Sequence, residues 1–174
     1  MNRKYYLDEI WVDMEGYEER YQISNYGRIR SLNYRNEGKV QMLHISAFRG
    51  DYLKVGLRKD GKVKYYRVHR LVAQNFLPCP TSGQTQVEHI DGNRQNNYVK
   101  CEIIDGNIYV HRNGTNIRWT TPKGNMANEI TRLRISIANS NPSEETRRRM
   151  SEGQKRRFAR ERATKTGRYA ENNN

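Results

Sequence analysis

Three stretches of this sequence carry side chains that can work together on one phosphate ester. Glu88 and His89 are neighbours in Val87-Glu88-His89-Ile90, a run that reads as a strand, and Asn116 opens a second one, Asn116-Ile117-Arg118-Trp119-Thr120. Asn125 falls in the first turn of a helix for which Thr121 is the natural N-cap and Pro122 the first position. An imidazole takes up a proton near neutral pH, so His89 can activate a water molecule. The Glu88 carboxylate and the Asn125 amide oxygen are hard donors suited to Mg²⁺ or Mn²⁺. Hydrolysing a phosphodiester needs a base for water and something positive to hold the phosphate and stabilise the leaving oxygen, and each role has its residue here. Successive strand residues point to opposite sides, so a twist or bulge is expected between Glu88 and His89 if both are to serve one phosphate.

The surrounding sequence supplies a small scaffold. Tyr21-Gln22-Ile23-Ser24 and Arg28-Ile29-Arg30-Ser31-Leu32 flank the turn Asn25-Tyr26-Gly27 and read as a hairpin. From Asp51 to Arg58, Leu53, Val55 and Leu57 share one face and Tyr52, Lys54 and Arg58 the other, and Asp60-Gly61 turns the chain into Val63 to Val68. Val68, Leu71, Val72 and Phe76 keep helical spacing until Pro78, with His69 read as packed under the site rather than as a ligand. A polar loop, residues 78–86, leads to the Glu88 strand, and Cys101 to Asp105 with Asn107 to His111 forms a further short hairpin around Asp105-Gly106. Met126, Ile130, Leu133 and Ile137 continue the Pro122 helix at helical spacing, and Trp119 and Met126 are expected in the core. Ser143 can cap a last helix that opens on Glu144 and Glu145 and is basic from Arg147 to Arg168, with Met150 and Phe158 as its few apolar anchors. Such a helix is marginal alone in water. His44 and His111 read as solvated.

Composition sets the bounds. Of 174 residues only 34% are hydrophobic, and the mean hydropathy is −1.09, which excludes a large buried core. No run approaches a membrane span, the first residues lack the apolar stretch of a secretory signal, and a soluble intracellular protein is expected. Lys and Arg number 32 against 19 Asp and Glu, for a net charge of +13, which points to a polyanion such as nucleic acid. The charge is uneven: residues 21–87 carry twelve bases against three acids, 88–128 five against four, and 129–174 twelve against six. Cys79 and Cys101 can neither build a disulfide framework nor hold zinc as a C-x-x-C pair, so zinc is excluded and the thiols are expected to stay reduced.

Val87-Glu88-His89-Ile90-Asp91-Gly92-Asn93 with Asn96-Asn97, then Asn116-Ile117-Arg118-Trp119-Thr120 and Asn125, resembles the HNH (ββα-metal) endonucleases, in particular the phage and intron-associated homing endonucleases. Arg67-Val68-His69-Arg70-Leu71-Val72-Ala73-Gln74-Asn75-Phe76 resembles their lead-in helix. Trp11, Gly16-Tyr17-Glu18 and the stretch from Tyr21 to Leu32 resemble the NUMOD4 module often fused to it, and Ser143 to Glu152 resembles the NUMOD3 DNA-binding repeat. The resemblance implies an α+β chain: an antiparallel β module over 1–66, a ββα-metal nuclease domain over 67–138 and a helical DNA-binding tail over 139–174. It also implies roles: His89 as general base, Asn116 orienting the base and bracing the fold, and Asn125 as the last metal ligand. Glu88 stands where the family more often has Asp or Asn. The spacer between Asn97 and Asn116 is longer than relatives usually have, and its hairpin is expected to project from the site.

The leading reading is therefore a site-specific DNA endonuclease of the bacterial or phage-infected cytoplasm, using one divalent ion per site, Mg²⁺ or Mn²⁺, and no small-molecule cofactor. Its partner is double-stranded DNA, gripped by Lys54, Arg58, Arg67 and Arg118 and by Arg147, Arg148, Arg149, Lys155, Arg156 and Arg157 of the tail. One site attacks one strand at a time, so a monomer, the expected state, would nick, while a dimer or two successive events would break both strands. Two rivals are a DNA-binding regulator that has lost cleavage and an RNA-binding protein, the latter suggested by twelve tyrosines that can stack on single-stranded bases.

Overall fold

The computed structural model describes the backbone of residues 6–47, 51–140 and 142–171, and their side chains except those of 138, 139, 158 and 160–171. Phe158, expected as an apolar anchor, and the arginines of the tail from Arg160 onward thus lie outside the described side chains. The chain divides after Thr131 into two compact units.

The first unit is built from antiparallel strand pairs around one helix. Strands β1 (Trp11–Asp13), β2 (Tyr21–Ser24), β3 (Ile29–Tyr34) and β4 (Lys39–Met42) form a sheet in that order. The β2–β3 hairpin is the one expected from alternation, whereas β1 and β4, too short and too exposed to show a pattern, join it at the edges. The second hairpin, β5 (Lys54–Lys59) and β6 (Lys62–Arg67), turns at Asp60-Gly61, both with positive φ, the backbone that a tight two-residue turn requires. Helix α1 (Val68–Phe76) follows directly and buries Val68, Leu71, Val72 and Phe76, the periodic positions. Strand β7 (Gln86–His89) pairs with β10 (Ile117–Thr120), and the spacer between them forms the hairpin β8 (Cys101–Ile104) and β9 (Asn107–Val110).

One core serves both of the modules expected on either side of residue 66. Met14, just after β1, and Ile23 and Ile29 of the N-terminal sheet pack in the same buried cluster as Val55 and Leu57 of β5, the α1 stripe, Val87 of β7 and Ile117 of β10. So few apolar residues cannot fill two separate cores. The fully buried Asn25 stitches the halves together: its Nδ2 donates to Val99 O at 3.1 Å and its Oδ1 accepts from Ile10 N at 2.9 Å. Gly27, in the same turn, has φ +80°, and a Cβ there would lie 2.9 Å from Val68 Cγ1 and 3.1 Å from Asn97 Cβ. Only glycine lets the turn rest on α1 and Asn97.

Two expectations fail for physical reasons. The helix after Thr121 does not run on: Asn128, at ψ 131°, separates α2 (Pro122–Ala127) from α3 (Glu129–Ser140), and its Oδ1 accepts from Thr131 N as the cap of α3. Met126 is 57% exposed rather than in the core, because α2 is too short to bury a face. The start of α2 is as expected, with Thr121 Oγ1 accepting from Gly124 N at 3.0 Å.

In the second unit, α4 (Glu144–Glu171) begins where Ser143 Oγ accepts from Thr146 N. Glu145–Arg149 and Glu152–Arg156 pair one turn apart along it, small contributions suited to a solvated helix. Met150 is 54% exposed. Among the described residues no helix is long and apolar enough to cross a membrane.

Candidate active site

Residues of β7, β10 and α2 come together as the sequence suggests, but on two sides of β7. The β7–β10 register runs unbroken from Gln86 opposite Thr120 to His89 opposite Ile117, so the bulge expected between Glu88 and His89 is absent. Glu88 and His89 therefore face opposite ways, with His89 closing the strand.

On one side, Glu88 is 3% exposed and both of its oxygens are engaged. Oε2 accepts from Arg118 Nε at 2.9 Å, and Oε1 accepts a short bond from Asn128 Nδ2. Arg118 stands opposite Glu88 in register, so this cation, expected on DNA, first neutralises a buried carboxylate. Asn125 shares the side: its Nδ2 donates to Gln86 Oε1 at 2.8 Å, which leaves its Oδ1 available. Glu88, Gln86, Asn125 and Asn128 thus gather one carboxylate and three amides, hard oxygens of the kind that suits Mg²⁺ or Mn²⁺ better than a softer metal, although the Glu88 oxygens, Gln86 Oε1 and Asn128 Oδ1 already accept bonds within the chain and Asn125 Oδ1 is the one left open. Asn128 was not singled out in the sequence; the signal that could have found it is an amide just where the helical run is interrupted.

On the other side, His89 is 7% exposed and its Nε2 lies 3.0 Å from Asn97 Oδ1. An amide oxygen only accepts, so Nε2 carries the proton and Nδ1 the lone pair. Burial holds the His89 imidazole below its usual range, against the bond to Asn97 and the charge of Asp91, which favour protonation. Its ring packs edge-on to His69, centroids 5.1 Å apart, and Tyr52 lies 4.5 Å from His69 and 5.8 Å from His89. His69 is packed under the site as expected.

Asn116 braces the loop rather than touching the base. Its Oδ1 accepts from Asp91 N at 3.0 Å and its Nδ2 donates to Asn96 O at 2.6 Å and Asp91 Oδ1 at 3.0 Å. Asn97 fixes the imidazole instead. Burial raises the Asp91 carboxyl, but bonds from Asn96, Asn93 N and Asn116 outweigh it and hold the group below its ordinary value.

The cations expected on DNA are spread over both units. Lys54, Arg58 and Arg67 are exposed on β5 and β6, and Arg58 lines a cleft of about 670 Å³ with Arg20, Arg35 and Tyr34. Arg147, Arg148, Arg149, Lys155, Arg156 and Arg157 are exposed along α4.

The buried pair gives a stability prediction. Burial, with His89, Arg70 and Arg67 nearby, pushes the His69 pKa from 6.5 down to about 3. A depressed folded value means that the unfolded chain takes up the proton first, so this stability is present above 6.5 and drains away as pH falls towards 3. The melting temperature should fall more steeply between about pH 7 and pH 4 in the wild type than in His69→Leu; identical slopes would contradict it.

The chain is similar to several known proteins. The NUMOD4 motif model matches residues 9–70. The chain is 35% identical over 128 residues to the DNA endonuclease I-HmuI of Bacillus phage SP01, covering 74% of this chain and 62% of that protein. It is 34% identical over 113 residues to the uncharacterized HNH endonuclease L245 of Acanthamoeba polyphaga mimivirus, covering 65% of this chain and 28% of that protein. A solved structure described as "DNA binding and cleavage by the HNH homing endonuclease I-HmuI" matches with a TM-score of 0.53 at 34% identity, over 75% of this chain and 66% of that one. The chain therefore spans less than two thirds of the length of these curated relatives. The NUMOD4 match runs through the N-terminal strands, and with Glu88-His89 ending β7, Asn116 just ahead of β10 and Asn125 in α2, the chain is similar in sequence and fold to the HNH homing endonuclease I-HmuI.

Proposed function

We propose that this chain is a metal-dependent DNA endonuclease that hydrolyses one phosphodiester bond per site, acting on double-stranded DNA and nicking one strand as a monomer. The observation that carries the reading is that Glu88 and His89 end β7, Asn116 immediately precedes its partner strand β10, and Asn125 lies in α2, which follows β10 directly. In this reading His89 Nδ1 takes the proton of the attacking water while Asn97 holds the ring through Nε2. Glu88 and Asn125 would hold the divalent ion, Mg²⁺ or Mn²⁺, which when bound would stabilise charge on the phosphate and the leaving oxygen. His89 is the last residue of β7, so a phosphate lying across the strand's end can be approached from both sides. Asn116 keeps the Asp91 to Asn96 turn closed beneath it.

A DNA-binding protein without cleavage is the rival reading, and it draws on one observation: both Glu88 oxygens are already bonded within the chain. The pH profile tests the nuclease reading. Because His89 titrates below its usual 6.5 and must be neutral to act, Mg²⁺-supported single-turnover cleavage should be flat above that value and fall on the acid side. A rate that keeps rising through about pH 8 would deny His89 the role of base.

A further inference from the structure

We infer that Tyr52 is the positioning residue of a phosphate clamp on the His89 side of β7, in which Arg67 and Arg94 take the oxygens of the bound phosphodiester. The inference rests on the nuclease reading and adds to it the groups that grip the substrate beside the base. The Arg67 guanidinium lies 5.0 Å from the centroid of the half-buried Tyr52 ring and that of Arg94 5.1 Å, although the two come from the end of β6 and from the turn after β7. The same ring packs on His69 and reaches His89. One tyrosine thus joins the base to two cations from separate elements.

What holds these arginines also leaves them available. Contact with a π-face steadies a guanidinium without consuming its N–H donors, and the planar fork suits two phosphate oxygens at once. Asp51 is the one carboxylate paired with this cluster among the described residues, 3.9 Å from Arg94 and 3.5 Å from Lys54. Lys54, Arg67 and Arg94 against Asp51 leave a positive surface next to the buried His89 ring. Such a surface attracts an anionic ester to the proton acceptor.

The test compares Arg94→Gln, Tyr52→Leu and Tyr52→Phe in the full chain, using a mixed-sequence duplex for binding and supercoiled plasmid with Mg²⁺ for cutting. Arg94→Gln should make the slope of log K against log salt shallower by about one unit, the release expected for one phosphate contact. Its cleavage at saturating enzyme should fall roughly 10–100-fold, the range for losing one donor to a developing phosphate charge. Tyr52→Leu, which releases Arg67 as well, should match or exceed both losses, adding Arg94→Gln to it should change little more, and Tyr52→Phe, which keeps the ring, should recover most of them. A merely structural Tyr52 would lower the melting temperature and leave the salt slope alone. Arg94 is exposed, so Arg94→Gln decides the matter even if Tyr52→Leu fails to fold. An Arg94→Gln protein that keeps wild-type slope and wild-type cleavage overturns the clamp. A wild type that cuts nothing would overturn the nuclease reading instead, while the salt slopes would still judge the clamp.

Discussion

Replacing His89 by alanine is expected to slow cleavage by roughly 10²–10⁴-fold, the contribution of a positioned general base, with duplex affinity almost unchanged. Affinity should survive because His89 is 7% exposed and offers little surface to DNA. The rate should not, because in the proposed reading Nδ1, the nitrogen not turned to Asn97, takes the proton, and burial holds the imidazole below its usual range. Alanine also strips Asn97 of its donor, so His89→Gln is the better-controlled variant: it retains an amide N–H and cannot act as a base. Both variants should bind and neither should cut at a useful rate. Wild-type rates in His89→Gln would remove the base from this account.

The second large effect concerns grip. The segment carrying the site, 88–128, has five bases against four acids, too little to hold a duplex, whereas 129–174 has twelve against six. Each phosphate neutralised on duplex DNA contributes about −0.9 to the slope of log K against log salt, so a tail that seats several arginines should steepen it by several units. Ending the chain after Ser140 removes α4 but keeps Glu88, His89, Asn116 and Asn125 and all of α3. No residue of the buried core lies beyond Ile117 among the described residues, so the truncated chain should stay folded. It should bind far more weakly, show a shallower salt slope, and still cut at high enzyme concentration. Unchanged affinity and slope would deny the tail a DNA contact, and unfolding would make it a strut.

The parts of the fold legible in the sequence are those whose burial repeats at a fixed period. Val55 and Leu57, and the α1 stripe from Val68 to Phe76, are buried where alternation and helical spacing place them. Strand β4 is exposed at every residue and carries no such signal. The break at Asn128 was hidden because helical spacing of Ile130, Leu133 and Ile137 is unaffected by an amide that leaves the helix to cap the next one. At the site, residue types were legible but their partners were not. Nothing in local sequence says that Arg118 will neutralise Glu88, that Asn97 rather than Asn116 will hold His89, or that Tyr52 will lie beneath two arginines. Those contacts join residues from 8 to 42 positions apart and exist only once the strands are paired.

Whether one ion held by Glu88 and Asn125 serves a base at His89 is decided by following both labelled strands of a duplex through removal and return of the metal. Cutting is expected in Mg²⁺ or Mn²⁺, none in EDTA, and recovery when the ion is restored in excess, with a higher ion concentration needed for Asn125→Ala. Undiminished cutting in EDTA, or tight binding with no cutting at any ion concentration, would contradict this expectation.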